Sequence, residues 1–222
     1  MIHSRARRFL AALPLVLLLL GFGAPLATRA ADPYYAHTYF YSAYERQIDS
    51  RTCVAASTAM MMNILSGGDL NLNQMTILRY AQKRDALNDA VQRGSDPLGW
   101  AVAATHFSEI TRRPTTYRWE AYDTKTAALK RAATQIARYG KAVGLLVQHG
   151  AHAVVMTGFK SSRSPLAGSF TIYGIYYSDP LGKRSLYVTP ASAPLNSYLQ
   201  LDATRTYDRA WYGKYIVIVP RN

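Results

Sequence analysis

From Ala142 onward the chain carries one strand-like run after another. AVGLLVQ (142–148), AVVMTGF (153–159), TIYGIYYS (171–178), SLYVT (185–189) and YGKYIVIV (212–219) are rich in aliphatic, β-branched and aromatic residues, with turn-forming residues between them. Their short spacing favours antiparallel neighbours. The residues before them carry helical patterns. Over 53–65, Val54, Ser57, Met61 and Ile64 fall on one stripe and the remaining faces are mostly Ala and Met, as in a helix buried on all sides. Gly67-Gly68 end it. Further helices are expected over 73–87, with Met75, Leu78 and Ala81-Gln82 inward, over 97–107 and over 124–139. Pro97 opens the second of these behind Ser95-Asp96. Asp123 or Thr124 caps the last, which closes at Gly140. Residues 112–122 have strand character. Helices first and strands afterwards predict an α+β fold with an N-terminal helical half and a C-terminal antiparallel sheet. No internal repeat divides it.

The first 30 residues stand apart. Arg5, Arg7 and Arg8 precede an apolar run, Phe9 to Leu20, broken by Pro14, and Thr28 and Ala30 form a −3/−1 pair. This is the pattern of a secretory signal peptide cut after Ala30. The uncharged stretch from Phe9 to Thr28 is long enough to cross a bilayer. Pro14, Gly21, Gly23 and Pro25 weaken it as a helix, however, and Ala30-Ala31 offers a cleavage site. After cleavage no stable membrane span is expected, and the chain is placed outside the cell or in its envelope. Arg7-Arg8 leaves both general secretion and twin-arginine export open. The remaining 192 residues suit one domain over 47–222, preceded by a Tyr-rich arm over 31–46 (ADPYYAHTYFYSAYER). That arm shows no clear period and is expected to be irregular, docked by its aromatic bodies. The mature chain holds 22 basic against 13 acidic residues. Such a balance suits contact with an anionic cell-envelope surface. Nucleic acid is not expected, because the basic residues are scattered and no recognition motif is present.

Cys53 is the only cysteine, so no intramolecular disulfide forms. A leftover thiol in an exported chain is either a buried inert residue or a reactive one. Its place at a helix start favours the second, because backbone N–H groups and the helix dipole there stabilise a thiolate. A nucleophilic thiolate needs a base, and the base an orienting group. Of the histidines that survive cleavage, His37 and His106 read as ordinary surface or half-buried groups. His152 opens a strand, a rigid position from which to deliver a base, and His149, three residues earlier, is the alternative. Asp179 ends a strand in YYSDPLG, where a carboxylate can orient the imidazole or simply cap its own turn. Gln47 offers a neutral amide donor for an oxyanion. The Met60-Met61-Met62 run has no His or Cys at ligand spacing and reads as packing, and no metal or cofactor is called for.

In order and spacing, these residues resemble the papain-like cysteine peptidases. The likeness is greatest to the bacteriocin-processing, double-glycine-leader peptidases and their free-standing secreted relatives. Gln-x5-Cys appears as QIDSRTC, followed by GKAVGLLVQHGAHAVVMTGF and by YYSDPLG, so that the resemblance covers about residues 45–190. It implies peptide-bond hydrolysis of a peptide or protein substrate, with Cys53 as nucleophile, His152 as base, Asp179 as orienting acid and Gln47 as oxyanion donor. Two departures are visible. Val54-Ala55 follow the cysteine where the family often has Gly-Pro or Gly-Ala, and KSSRSPLAGSF (160–170) lengthens the turn between the His152 and Asp179 strands. The Asp-Cys-Ser-Gly signature of the cell-wall endopeptidases is absent. Two other readings stay open: a catalytically silent binding module of the same fold, and acyl transfer to an amine as in transglutaminase-like relatives.

Overall fold

The computed structural model describes residues 32–86, 94–199 and 208–222. The expected N-terminal signal peptide lies outside the described residues, as does the expected end of the second helix at Leu87. Among the described residues, seven strands make one sheet: β1 (Tyr34–His37), β2 (Tyr117–Tyr122), β3 (Val143–Val147), β4 (His152–Ser161), β5 (Ile172–Asp179), β6 (Lys183–Val188) and β7 (Tyr215–Pro220). The order is β2-β7-β3-β4-β5-β6, with β1 paired to β4, and every pairing is antiparallel. The helices are α1 (Cys53–Ser66), α2 (Gln74–Gln82), α3 (Pro97–Ser108), α4 (Lys125–Tyr139) and the single turn α5 (Asp208–Trp211).

Strands β3, β4 and β7 look almost uniformly apolar in sequence because both faces of the sheet are covered there. Val143, Leu145 and Val147 of β3, Val154 and Met156 of β4, and Val217 and Val219 of β7 meet the α4 residues Ala128, Leu129, Ala132, Ala133 and Ile136. Their alternates Leu146, Ala153, Val155, Ile216 and Ile218 face Val54, Met61, Leu65 and Trp100 of α1 and α3. A period of two along each strand sorts side chains to opposite faces, so a strand covered on both sides shows no polar alternation. Helix α1 is buried along all but its last residue, and Met60, Met61 and Met62 are at most 1% exposed. The methionine run is core packing. Trp100 of α3 lies so close to β3 that a Cβ on Gly144 would stand 2.5 Å from its Cζ2.

Three sequence expectations are corrected. The Tyr-rich arm is not irregular throughout. Residues 34–37 form β1, in register with 158–161 of β4. Strand β4 is ten residues long and β3 pairs only with 152–156, so the far half of that edge takes the arm as its partner. Four residues are too few to display a period, and Tyr34 adds a stack on Phe159 with ring centroids 5.7 Å apart. The second helix ends at Gln82, followed by a turn at Lys83 and Arg84. Its buried side is Gln74, Ile77, Leu78 and Ala81, and Met75 is only partly covered. The strand expected over 112–122 begins at Tyr117.

Candidate active site

Cys53 is the first residue of α1 and is 7% exposed. Thr52 occupies the capping position but makes no side-chain capping bond. Its hydroxyl turns back instead, accepting from Ile48 N–H and Asp49 N–H at 3.2 Å each and donating to Asp49 O at 3.1 Å. The positive end of the helix dipole therefore faces the thiol without a competing side-chain oxygen at the cap. One turn further on, Ser57 Oγ donates to Ala153 O at 3.1 Å, which ties α1 to the start of β4.

His152 begins β4 and Asp179 ends β5. The two strands pair antiparallel, with Val155 opposite Ser178, so the start of one lies beside the end of the other. His152 Nε2 meets Asp179 Oδ1 at 2.8 Å, and the imidazole is 5% exposed. With Nε2 so engaged, Nδ1 is the nitrogen left for the thiol. Burial by itself disfavours the imidazolium. Hydrogen bonds to Asp179 and to Cys53, with the charges of both, outweigh it and lift the His152 pKa to about 9. Burial likewise works against the Asp179 carboxylate. The His152 hydrogen bond, the Leu181 N–H and the charges of His152 and Lys183 prevail and hold it below the usual carboxyl range.

Asp179 makes both contacts weighed for it. Oδ1 accepts the Leu181 N–H at 2.9 Å, as a turn aspartate does, and still holds the imidazole. The Tyr44 hydroxyl and the Gly182 N–H both donate to its carbonyl, at 3.1 and 3.0 Å. His149 lies elsewhere: it is exposed, sits at φ 56° and bonds Ser197 O through Nδ1 at 3.0 Å. His37 pairs with Ser185 Oγ, and His106 stacks on Tyr80.

Gln47 is brought to the same corner. Its backbone N–H donates to Pro180 O at 3.0 Å, next to Asp179, and its Nε2 donates to Asp49 O at 2.8 Å. Oε1 is buried without a hydrogen-bond partner. Sequence reasoning missed Gln74, a buried amide whose two ends bond the main chain on either side of Gln47. A polar residue on the inward stripe of α2 was the available signal. An open groove of about 530 Å³ along β2 and α4, lined by Arg118, Trp119, Glu120, Ala121, Tyr122 and Arg131, holds none of the four candidate residues. Its charges are already paired, since Glu120 binds both guanidinium groups.

The family model of the Peptidase_C39-like family matches residues 41–205, a span that takes in Gln47, Cys53, His152 and Asp179. The chain belongs to that family. Its members' resemblance, first visible over about 45–190, thus extends a little at both ends. No curated protein matches the chain. Among solved structures, the crystal structure of UfSP from C. elegans is similar at 9% identity and a TM-score of 0.50, over 84% of this chain and 34% of that one. This family member therefore spans about a third of that protein's length. The α+β architecture, with the cysteine on a central buried helix and the antiparallel sheet against it, is that of a papain-like cysteine peptidase.

Proposed function

We propose that the protein is an exported cysteine peptidase. The observation that carries the reading is the His152 imidazole, held between the lone thiol of Cys53 and the carboxylate of Asp179, with Nε2 2.8 Å from Oδ1. In this reading the Cys53 thiolate attacks a peptide carbonyl, the C–S bond forms, and the carbonyl oxygen becomes an oxyanion. The Cys53 N–H and the second hydrogen on Gln47 Nε2 donate to it, Asp49 O having taken the first. The His152 imidazolium protonates the leaving amine. Water then hydrolyses the thioester, with His152 as base and Asp179 keeping its tautomer. The substrate is a peptide or protein, and the basic surface suits work near an anionic envelope.

The deciding experiment is incubation of the 31–222 chain with a peptide mixture and a primary amine, read by mass spectrometry. Cleaved peptides that vanish in Cys53→Ala and His152→Ala support hydrolysis. Amine-modified peptides would redirect the reading to acyl transfer, and full activity in Cys53→Ala would end it.

A further inference from the structure

We infer that Gln74 is a positioning residue for the oxyanion side of the site, an inference that rests on the peptidase reading above. Gln74 opens α2 and is 7% exposed. It shares the inward face of α2 with Ile77, Leu78 and Ala81, which pack against Ala55 and Ala59 of α1 and Ala103 of α3. An apolar side chain would serve that packing, and a buried amide is costly unless both its ends are bonded.

Both ends are bonded, and to the same short segment. Gln74 Nε2 donates to Arg46 O at 2.7 Å, and Gln74 Oε1 accepts from Ile48 N–H at 3.2 Å. These are the peptide groups immediately before and after Gln47. The Ile48 N–H is shared with Thr52 Oγ1, whereas the Arg46 carbonyl has Gln74 as its side-chain donor. The amide thus acts like one rung of a neighbouring strand and fixes the plane of each peptide flanking Gln47. The Gln47 N–H on Pro180 O and its Nε2 on Asp49 O complete the grip. Beside it, Ile48 is 63% exposed, so little packing on that side would otherwise hold the loop. An oxyanion donor must be aimed to within a fraction of an ångström to act on the transition state, and Gln74 supplies the aim.

Two probes separate this role from a merely structural one. p-Nitrophenyl acetate acylates the thiolate through a tetrahedral oxyanion, releasing p-nitrophenolate. Iodoacetamide alkylates the same thiolate by displacement of iodide, with no oxyanion. Gln74→Met keeps the volume and removes both hydrogen bonds. It is expected to slow acylation by about tenfold, part of the loss that removing an oxyanion donor outright brings. Alkylation should stay within about twofold, and the variant should cost nothing further in a Gln47→Ala background. Gln74→Glu provides a second reading. Its protonated carboxyl donates and accepts as the amide does, so its acylation rate relative to wild type should be near one at low pH and fall as the carboxyl ionises.

Parallel loss of alkylation, or an equal loss from Gln74→Met in the Gln47→Ala background, would overturn the positioning role. So would normal acylation in Gln74→Met while Gln47→Ala is slow, which leaves the peptidase reading intact. Unchanged acylation in Gln47→Ala would remove Gln47 as oxyanion donor and Gln74's role with it, whereas persistent acylation in Cys53→Ala would strike the peptidase reading itself.

Discussion

The His152 proton is set by two partners that a sequence lists far apart. With its pKa lifted to about 9, the imidazolium persists well above the ordinary histidine range. The folded value exceeds the unfolded one, so the ion pair's contribution to stability is fully present below about pH 6.5. It is lost as pH rises through about 9. The His152 Cε1–H resonance of the intact protein should accordingly titrate near pH 9, and in Asp179→Ala it should move down toward neutrality, because burial then acts with less opposition. Cys53→Ala should move it in the same direction. Cys53 and His152 were legible as types in positions: a lone thiol at a helix start, an imidazole at a strand start. Asp179 was legible only as a turn residue that can also orient a base, and its hydrogen bond to His152 required the β4–β5 register. The bonds that hold Gln47 run from its own amide groups and those of Gln74 to backbone atoms, and main-chain partners leave no mark in a sequence.

Between elements, the site depends on how α1 sits against the sheet. Beside the Cys53–His152 contact, Ser57 of α1 bonds β4, and its acceptor, Ala153 O, belongs to the residue after His152. Ser57→Ala should cost about 1 kcal/mol in urea unfolding. It should also slow Cys53 acylation, since the thiol and the imidazole ride on the two elements that the bond joins. On the neighbouring strand, Gly144→Ala would thrust a methyl against the Trp100 ring and to 3.1 Å from Ile218 Cβ. A stability loss of about 1–3 kcal/mol is expected, read as a lower urea midpoint. Helices α1, α3 and α4 and strands β3 to β7 were readable because capping residues and apolar runs mark them locally. Strand β1 was not, since its reason for existing is the unpaired half of β4, more than a hundred residues away in the chain.

For the molecule as a whole, an acidic pair well away from Cys53, His152 and Asp179 in sequence sets a pH dependence of stability. Asp85 is 8% exposed. Its Oδ1 accepts from Ser95 Oγ at 2.7 Å and from Asp96 N–H at 3.1 Å, while Oδ2 is buried with no donor. Burial first, and then the neighbouring Asp96 charge, push the Asp85 pKa up to about 8. The folded chain therefore keeps a proton that the unfolded chain releases near pH 4. Stability from this group is fully present below that point and drains as pH rises through about 8, at up to about 1.4 kcal/mol per pH unit for one proton. The alkaline loss from the His152 pair adds to it over pH 6.5–9, so the protein should unfold at progressively lower temperature from pH 5 to pH 9. Asp85→Asn isolates the first contribution. An asparagine amide accepts from Ser95 and Asp96 N–H through Oδ1 and donates to the Asp96 carboxylate through Nδ2, with no proton to lose. Thermal unfolding followed by circular dichroism should give wild type and Asp85→Asn similar Tm values at pH 5. By pH 8 the variant should be the more stable, and the slope that remains in it between pH 6.5 and 9 should disappear on adding His152→Ala.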